Sequence, residues 1–418
     1  MEELINHITD ICRAAKGASG TLAASSGGTR NRLLEALSGK LRAHKDEIIQ
    51  ANTEDLEKAK QDNYPVPMLD RLKLNEARID GICDAVMDLV NLPDPLGRGE
   101  RVTRPNGLVI EKVSVPLGVV AVIYEARPNV TVDITALCLK TGNAVVLRGG
   151  KEALETNKVL TKLMKEALSD HGFSPDLIGF VEATSRESAM ALMGMRDYVD
   201  VLIPRGGKGL IRSCAENSKI PLIETGAGNC HLYVDESADP EKALTVAVNA
   251  KCQRPSVCNA IETLLVHKNI AESFLPAFFA ATRDYGLEIR ADAKAREVLT
   301  HALPASDADW DTEYDDYIIA VRVVNSLDEA IAHINQHSTH HSEAIMTRSL
   351  ENANRFKREV DSACVYVNAS TRFTDGGEFG FGAEVGISVQ KLHARGPMGL
   401  DALTTVKYLI EGDGQIRT

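Results

Sequence analysis

From Gly118 onward the chain alternates between unbroken apolar runs and amphipathic segments, and this rhythm constrains the fold more than any other feature. Val119–Tyr124 reads VVAVIY, with no polar position on either face. Such a strand has to be buried on both sides, the condition of a parallel strand covered by helices. A helical stretch from Asp133 to Lys140 follows, then the apolar run Ala144–Leu147 and the helical 151–169. Ile178–Val181, Val199–Ile203 and Ile220–Ile223 continue the strand series. A second series starts near Gly226, with strands predicted at Leu232–Val234, Thr263–Val266, Ile318–Val324, Ala344–Thr347 and Cys364–Val367. Helices are predicted between them at 239–251, 270–285, 327–335 and 348–359. The alternation predicts an α/β protein of two doubly wound domains.

The flanking segments read differently. Residues 29–60 predict helix, with Leu33, Leu34, Leu37, Leu41, Ile48 and Ile49 at helical spacing. Asn52 or Thr53 is expected to cap a short helix from Glu54, and 68–91 gives a further helical pattern. Pro105-Asn106-Gly107 between two β-rich runs predicts a hairpin over 100–115. After Asn368 the chain is rich in glycine and reads as loops with a final strand, Thr404–Leu409.

A formal net charge of −12 leaves no basic footprint for nucleic acid. No apolar run approaches 18 residues, so no membrane span is expected, and the N-terminus lacks the basic and apolar regions of a signal peptide. The eight cysteines are scattered with no C-x-x-C, which predicts free thiols in a reducing cytoplasm.

Two glycine clusters follow predicted strands, Arg148-Gly149-Gly150-Lys151 and Arg205-Gly206-Gly207-Lys208-Gly209. Glycine at a strand-to-helix turn lets backbone approach a phosphate. Neither matches a dinucleotide or P-loop fingerprint, and a plain tight turn is open for each; together, with their cations, they point toward an anionic nucleotide. Cys258, in Gln253-Arg254-Pro255-Ser256-Val257-Cys258-Asn259-Ala260, is a candidate nucleophile with Arg254 as a cation to favour its thiolate; a buried structural cysteine is the alternative. Cys252 is expected to pack in the core. His333 and His337 stand at i, i+4, but a solvated face is the preferred reading and no metal is expected. Arg127, Arg254, Arg372 and Arg395 lie near proline or glycine loops, as anion-handling residues or as surface charge.

Three long motifs then carry a resemblance that spans nearly the whole chain. They are Val115-Pro116-Leu117-Gly118 through Glu125-Ala126-Arg127-Pro128-Asn129-Val130-Thr131, the Cys258 segment, and Leu392-His393-Ala394-Arg395-Gly396-Pro397-Met398-Gly399-Leu400. The chain resembles the gamma-glutamyl phosphate reductase family of the aldehyde dehydrogenase superfamily. The resemblance implies an NADPH-binding domain over 1–100 and 116–226 and a catalytic domain over 227–367. It implies an oligomerisation module from the 100–115 hairpin and the 368–418 tail. The implied reaction is NADPH-dependent reduction of L-glutamyl 5-phosphate to L-glutamate 5-semialdehyde with release of phosphate, the second step of proline synthesis from glutamate. Cys258 is implied to be the nucleophile, with Asn129 as a partner to its backbone N–H in stabilising the oxyanion. Arg148 and Lys151 are implied at the adenosine ribose, where two cations suit a 2′-phosphate, Gly206 and Gly207 near the pyrophosphate, and Glu313 at the nicotinamide ribose. Glu224 matches the glutamate that activates water in aldehyde-oxidising members. Because hydrolysis would waste an activated substrate, it is expected to stand beside the cofactor without working as a water base. Arg127, Arg254 and Arg395 are implied to hold the substrate's phosphate and carboxylate. Cys252 and Ser256 stand where the family has threonine and glycine, and 337–341 departs from its usual glycine-containing loop. A homo-oligomer is expected, contact with glutamate kinase stays open, and no kinase domain is expected ahead of the cofactor domain. An ordinary aldehyde dehydrogenase and a non-catalytic nucleotide-binding protein are the alternatives.

Overall fold

The computed structural model describes residues 1–125 and 127–417, without the side chains of Val66 and Pro67. The chain forms two compact units, one of Met1–Thr225, Gly380–Gly386 and Met398–Thr418, the other of Gly226–Phe379 and Ile387–Pro397.

The first unit opens with five helices, α1 (Glu2–Ala23), α2 (Gly27–Ala43), α3 (Lys45–Gln61), α4 (Val66–Leu72) and α5 (Glu76–Asn91). α1 was not anticipated, although Ile8, Cys12, Ala15 and Leu22 bury one face at helical spacing. The predicted 29–60 helix is two helices that meet at His44. Asn52 is buried inside α3 and caps nothing there. Its amide donates to the Leu72 carbonyl (2.9 Å) and its oxygen accepts the Leu74 N–H (2.7 Å), so it satisfies the backbone between α4 and α5.

β1 (Gly99–Thr103) and β2 (Val109–Pro116) form the predicted antiparallel hairpin. β3 (Val119–Tyr124), β4 (Ala144–Arg148), β5 (Ile178–Phe180) and β6 (Val201–Arg205) form a parallel sheet in the order β5-β4-β3-β6. Every residue of β3 and β4 is buried, as an unbroken apolar run requires. Between and after the strands run α6 (Pro128–Lys140), α7 (Leu154–Asp170), α8 (Arg186–Met193) and α9 (Lys208–Asn217). Ile220–Ile223 is not a strand: it makes a single bridge, Leu202 to Leu222, because Pro221 has no N–H to continue a ladder.

The second unit carries a seven-stranded parallel sheet in the order β10-β9-β11-β8-β7-β12-β13. Its strands are β7 (Cys230–Val234), β8 (Ile261–His267), β9 (Glu288–Ala291), β10 (Leu303–Pro304), β11 (Ile318–Val324), β12 (Ser342–Met346) and β13 (Cys364–Val367). Its helices are α10 (Pro240–Cys252), α11 (Lys268–Thr282), α12 (Ala293–Val298), α13 (Leu327–His337) and α14 (Leu350–Glu359). Strand alternation sends Leu232 and Leu264 into one core with Phe274 and Phe278 of α11, and Tyr233 and Leu265 into another with Ile331 of α13 and Phe356 of α14. Both faces are thus covered. The short pair β14 (Ile387–Ser388) and β15 (Gly396–Pro397) also belongs to this unit.

The chain ends in β16 (Thr404–Glu411), which pairs antiparallel with β2 and completes a three-stranded sheet, β1-β2-β16. All of β1 and all of β16 beyond Thr404 are exposed, with Val406 half so and Tyr408 and Ile410 more than half.

Candidate active site

In the first unit the strand order reverses between β3 and β6, where an open parallel sheet leaves a crevice at its carboxyl ends. Glu125 N–H donates to the Arg205 carbonyl (3.1 Å), and Gly207 N–H donates to the Glu125 carboxylate (2.9 Å). A Cβ on Gly206 would come within 2.5 Å of that carboxylate. The turn therefore fits only glycine and leads into α9 with its first amides turned toward an anion. At the end of β4, a Cβ on Gly149 would meet the Asn157 amide at 2.5 Å and the Tyr124 ring at 3.2 Å. Glu152, just beyond, has a buried carboxylate oxygen with no hydrogen-bond partner, a group no sequence pattern singled out.

The two cations of this region have different surroundings. Arg148 is buried, and its guanidinium donates to the Thr184 (2.6 Å) and Ser185 (2.8 Å) carbonyls and to Ser188 Oγ (3.4 Å), tying β4 to the turn before α8. Lys151 is exposed and pairs with Asp62 at 3.4 Å. Arg127 is half-buried at the N-cap position of α6. Asn129, in the first turn of α6, donates its side-chain amide to Asp133 at 2.9 Å. Burial pushes the Asp133 carboxyl up to about 6, against the Asn129 hydrogen bond and the charge of Arg205. Glu224 is half-buried beside Thr225, whose hydroxyl donates to the Pro204 carbonyl.

In the second unit the observation that separates one cysteine from the rest is exposure. Seven of the eight are buried and Cys258 alone is partly open. Burial pushes the thiols of Cys214 and Cys252 up to about 11 and that of Cys12 to about 12, which keeps them protonated and inert. Cys258 lies in the turn between α10 and β8, and its backbone is gripped from below. Cys230 Sγ donates to its carbonyl at 3.1 Å, and a Cβ on Gly228 would overlap that carbonyl. Gly228 N–H in turn donates to Glu313 at 2.6 Å. Glu313 is thereby brought to the Cys258 turn, although its role was inferred only from a resemblance.

Asn259 carries the other half of the grip. Its amide donates to the carbonyls of Thr374 (2.9 Å) and Arg372 (3.3 Å), its oxygen accepts from the Arg372 guanidinium, and its carbonyl accepts from Thr371 Oγ1 (2.6 Å). Arg372 also donates to Gln253 (3.0 Å). Burial and the neighbouring Arg254 lower the pKa of Arg372, while the charge of Cys258 opposes them. Arg372 thus lies near both Cys258 and Arg254. Arg395 instead donates to the Asp361 carboxylate (2.9 Å) and carbonyl (3.2 Å), beside the Lys391 to Asp361 pair.

The histidines form no solvated face. His333 is buried against Trp310 and His231, with Arg322 at its Nδ1, and burial drives its pKa far down. His337 pairs with Asp311 and His341 is buried beside Ser342. Among the described residues no group of three or more His, Cys, Asp or Glu could hold a metal ion, and no helix is long and apolar enough to cross a membrane.

The aldehyde dehydrogenase family model matches residues 5–295 and 306–409. The chain is 54% identical to the gamma-glutamyl phosphate reductase of Carboxydothermus hydrogenoformans over 418 residues, all of both chains. It is 50% identical to that of Enterococcus faecalis, over 99% of this chain and 100% of that one. The crystal structure of gamma-glutamyl phosphate reductase from Thermotoga maritima superposes with a TM-score of 0.96 at 45% identity, covering 98% of this chain and 100% of that chain.

Proposed function

The chain belongs to the gamma-glutamyl phosphate reductases of the aldehyde dehydrogenase family, and we propose that it reduces L-glutamyl 5-phosphate to L-glutamate 5-semialdehyde through a thioester on Cys258. The observation that carries this reading is the exposure of Cys258 among seven buried cysteines, with Arg372 as a neighbouring cation.

The Cys258 thiolate attacks the acyl carbon, the C–O bond to phosphate breaks, and the electron pair leaves with phosphate. The tetrahedral oxyanion is met by the Cys258 backbone N–H. Hydride addition to the thioester carbon gives a thiohemiacetal anion, whose oxyanion re-forms the C=O as the C–S bond breaks, releasing the aldehyde and returning the electron pair to Cys258 as thiolate. Arg254 holds an anionic group of the substrate, and Arg372 favours the thiolate. Arg395 supports the fold of its loop through Asp361.

The glycine turns after β4 and β6 fit a nicotinamide dinucleotide, which supplies the hydride when bound. Gly206 and Gly207 place the first amides of α9 for a pyrophosphate, a position the Glu125 carboxylate takes here. The unpartnered oxygen of Glu152 suits a ribose hydroxyl. Lys151 is the cation for a 2′-phosphate, which makes NADPH the preferred form, and Arg148 shapes the turn beneath it. Glu224 completes the cofactor contacts of the first unit. We assign the dinucleotide to the first unit and the thiol chemistry to the second. The apolar positions of β16 suggest a homo-oligomer joined through the three-stranded sheet, acting in the cytoplasm.

The decisive assay is NADP⁺ reduction by glutamate 5-semialdehyde with and without phosphate. Turnover that requires phosphate, and that a thiol alkylating agent abolishes unless acyl phosphate protects, is the expected result. Equal turnover without phosphate would make the chain an acid-forming aldehyde dehydrogenase.

A further inference from the structure

We propose that Lys251 and Glu262 are positioning residues for the reaction, a buried pair that closes the base of the loop carrying Cys258 and so fixes how its thiol is presented. The proposal rests on the reading of Cys258 as the nucleophile, and every residue it uses belongs to the second unit.

Cys258 stands on residues 253–260, which leave the end of α10 and enter β8. A loop of this kind has conformational freedom that its stems have to remove before a side chain on it can be aimed. Lys251 is the last residue but one of α10 and Glu262 the second residue of β8, seven positions before Cys258 and four after it. Lys251 Nζ lies 2.5 Å from Glu262 Oε2, so the pair ties the outgoing stem to the returning one. Both side chains are wholly buried, which keeps water from competing for the contact.

The pair reaches the thiol by a second route. The other oxygen of Glu262 accepts the Asp315 N–H at 3.4 Å, and Asp315 holds the left-handed conformation, with φ 55°. Lys251 Nζ also lies 5.9 Å from the centre of the Tyr314 ring, whose hydroxyl donates to Asp309 at 2.7 Å. Glu313, the next residue back, accepts the Gly228 N–H at 2.6 Å, and Gly228 lies against the Cys258 carbonyl. Burial pushes the Glu262 carboxyl up and Lys251 pulls it down, with the Glu313 charge on the side of burial. Lys251 therefore offsets the repulsion between two carboxylates that approach the same turn.

Stability is a poor account of such a pair. The cost of taking two charges out of water can exceed their attraction, and replacing both by apolar residues of similar volume is often neutral or stabilising. Removing one partner alone strands a buried charge and is strongly destabilising. Replacing both therefore separates position from stability.

The test uses the full-length enzyme carrying Lys251→Met and Glu262→Met together. It measures kcat and KM in the phosphate-dependent oxidation of glutamate 5-semialdehyde by NADP⁺. Beside them it measures the rate at which iodoacetamide alkylates Cys258, followed by mass spectrometry of its peptide. The melting temperature is expected within about 4 °C of the parent. With the thiol misplaced, kcat should fall about tenfold, KM for the semialdehyde should change less than about twofold, and alkylation should slow about threefold or more. Parental kcat and parental alkylation in the folded double variant overturn the proposal alone. Slowed alkylation with parental kcat overturns the reading of Cys258 as nucleophile and the proposal with it. A lowered kcat at a parental alkylation rate overturns the proposal too, because the pair then acts elsewhere than on the thiol. If the double variant does not fold, Glu262→Gln, which keeps the shape and removes the charge, carries the same outcomes.

Discussion

In the four-stranded sheet the order reverses between β3 and β6, and Asn129, Asp133, Arg205, Gly206 and Gly207 all follow the carboxyl ends of those two strands. In the seven-stranded sheet the reversal falls between β7 and β12, yet the corresponding place is closed. Asp235, straight after β7, accepts hydrogen bonds from Ser237 Oγ (2.6 Å), Thr347 Oγ1 (3.0 Å) and Asn352 Nδ2 (3.0 Å) and is buried. Cys258 stands at the other edge of that sheet, just before the amino end of β8. The same winding therefore offers the same crevice twice, and the side chains that fill it decide whether it can serve a ligand. One crevice keeps glycine, and the other is stitched shut by a carboxylate.

Removing the sulfur gives the largest expected effect. Cys258→Ser should lower turnover by on the order of 10³-fold or more, about 4 kcal/mol of transition-state stabilisation, with unchanged thermal melting. Retained turnover would mean that the amino edge of the second sheet is not where chemistry occurs. Gly228→Ala comes next. Its Cβ would collide with the Cys258 carbonyl, so the turn must shift, and displacement by about 1 Å costs on the order of 10²-fold in kcat. The measurement is kcat beside alkylation rate; normal values for both would show that the turn adapts freely.

Breaking the closed crevice should cost stability instead of catalysis. Asp235→Ala leaves the Ser237, Thr347 and Asn352 donors without an acceptor, an expected loss of about 3 kcal/mol by denaturant unfolding with kcat within about twofold. Burial would raise the Asp235 carboxyl, but these hydrogen bonds outweigh it and hold it below the usual value of 3.8. Its contribution is therefore complete above that value and drains away as pH falls through the lowered one. The parent should lose stability there and the variant should not. A large loss of kcat at full stability would place function in this crevice after all.

The strands of both sheets were legible because each buried strand writes itself as an unbroken apolar run. β9 and β10 were not, since Glu288 and Arg290 alternate with apolar residues and Pro304 ends a two-residue edge strand. Cys258 could be picked out by its motif, but the 29 residues between it and Gly228 hide the contact that shapes its turn. Arginine roles were the least legible. Sequence shows a charge and not its partner, so Arg148 and Arg395 looked like Arg254 until the Thr184 and Ser185 carbonyls and Asp361 were found beside them. Arg372, read first as one anion-handling candidate among four, proved to be a neighbour of the thiol.

The smallest effects sharpen the open crevice. Lys151→Gln should raise KM for NADPH about tenfold and leave that for NADH within about twofold, because only the former loses a phosphate partner. Parallel changes for both cofactors would make Lys151 a structural partner of Asp62. Glu224→Gln should be nearly silent in reductive turnover. The acyl group reaches the thioester from a good leaving group, and a working water base would only divert it to free acid. The informative readout is the ratio of aldehyde to glutamate released from acyl phosphate. If the substitution lowers turnover as far as loss of Cys258 does, Glu224 has a role in the forward chemistry that the thioester route does not provide.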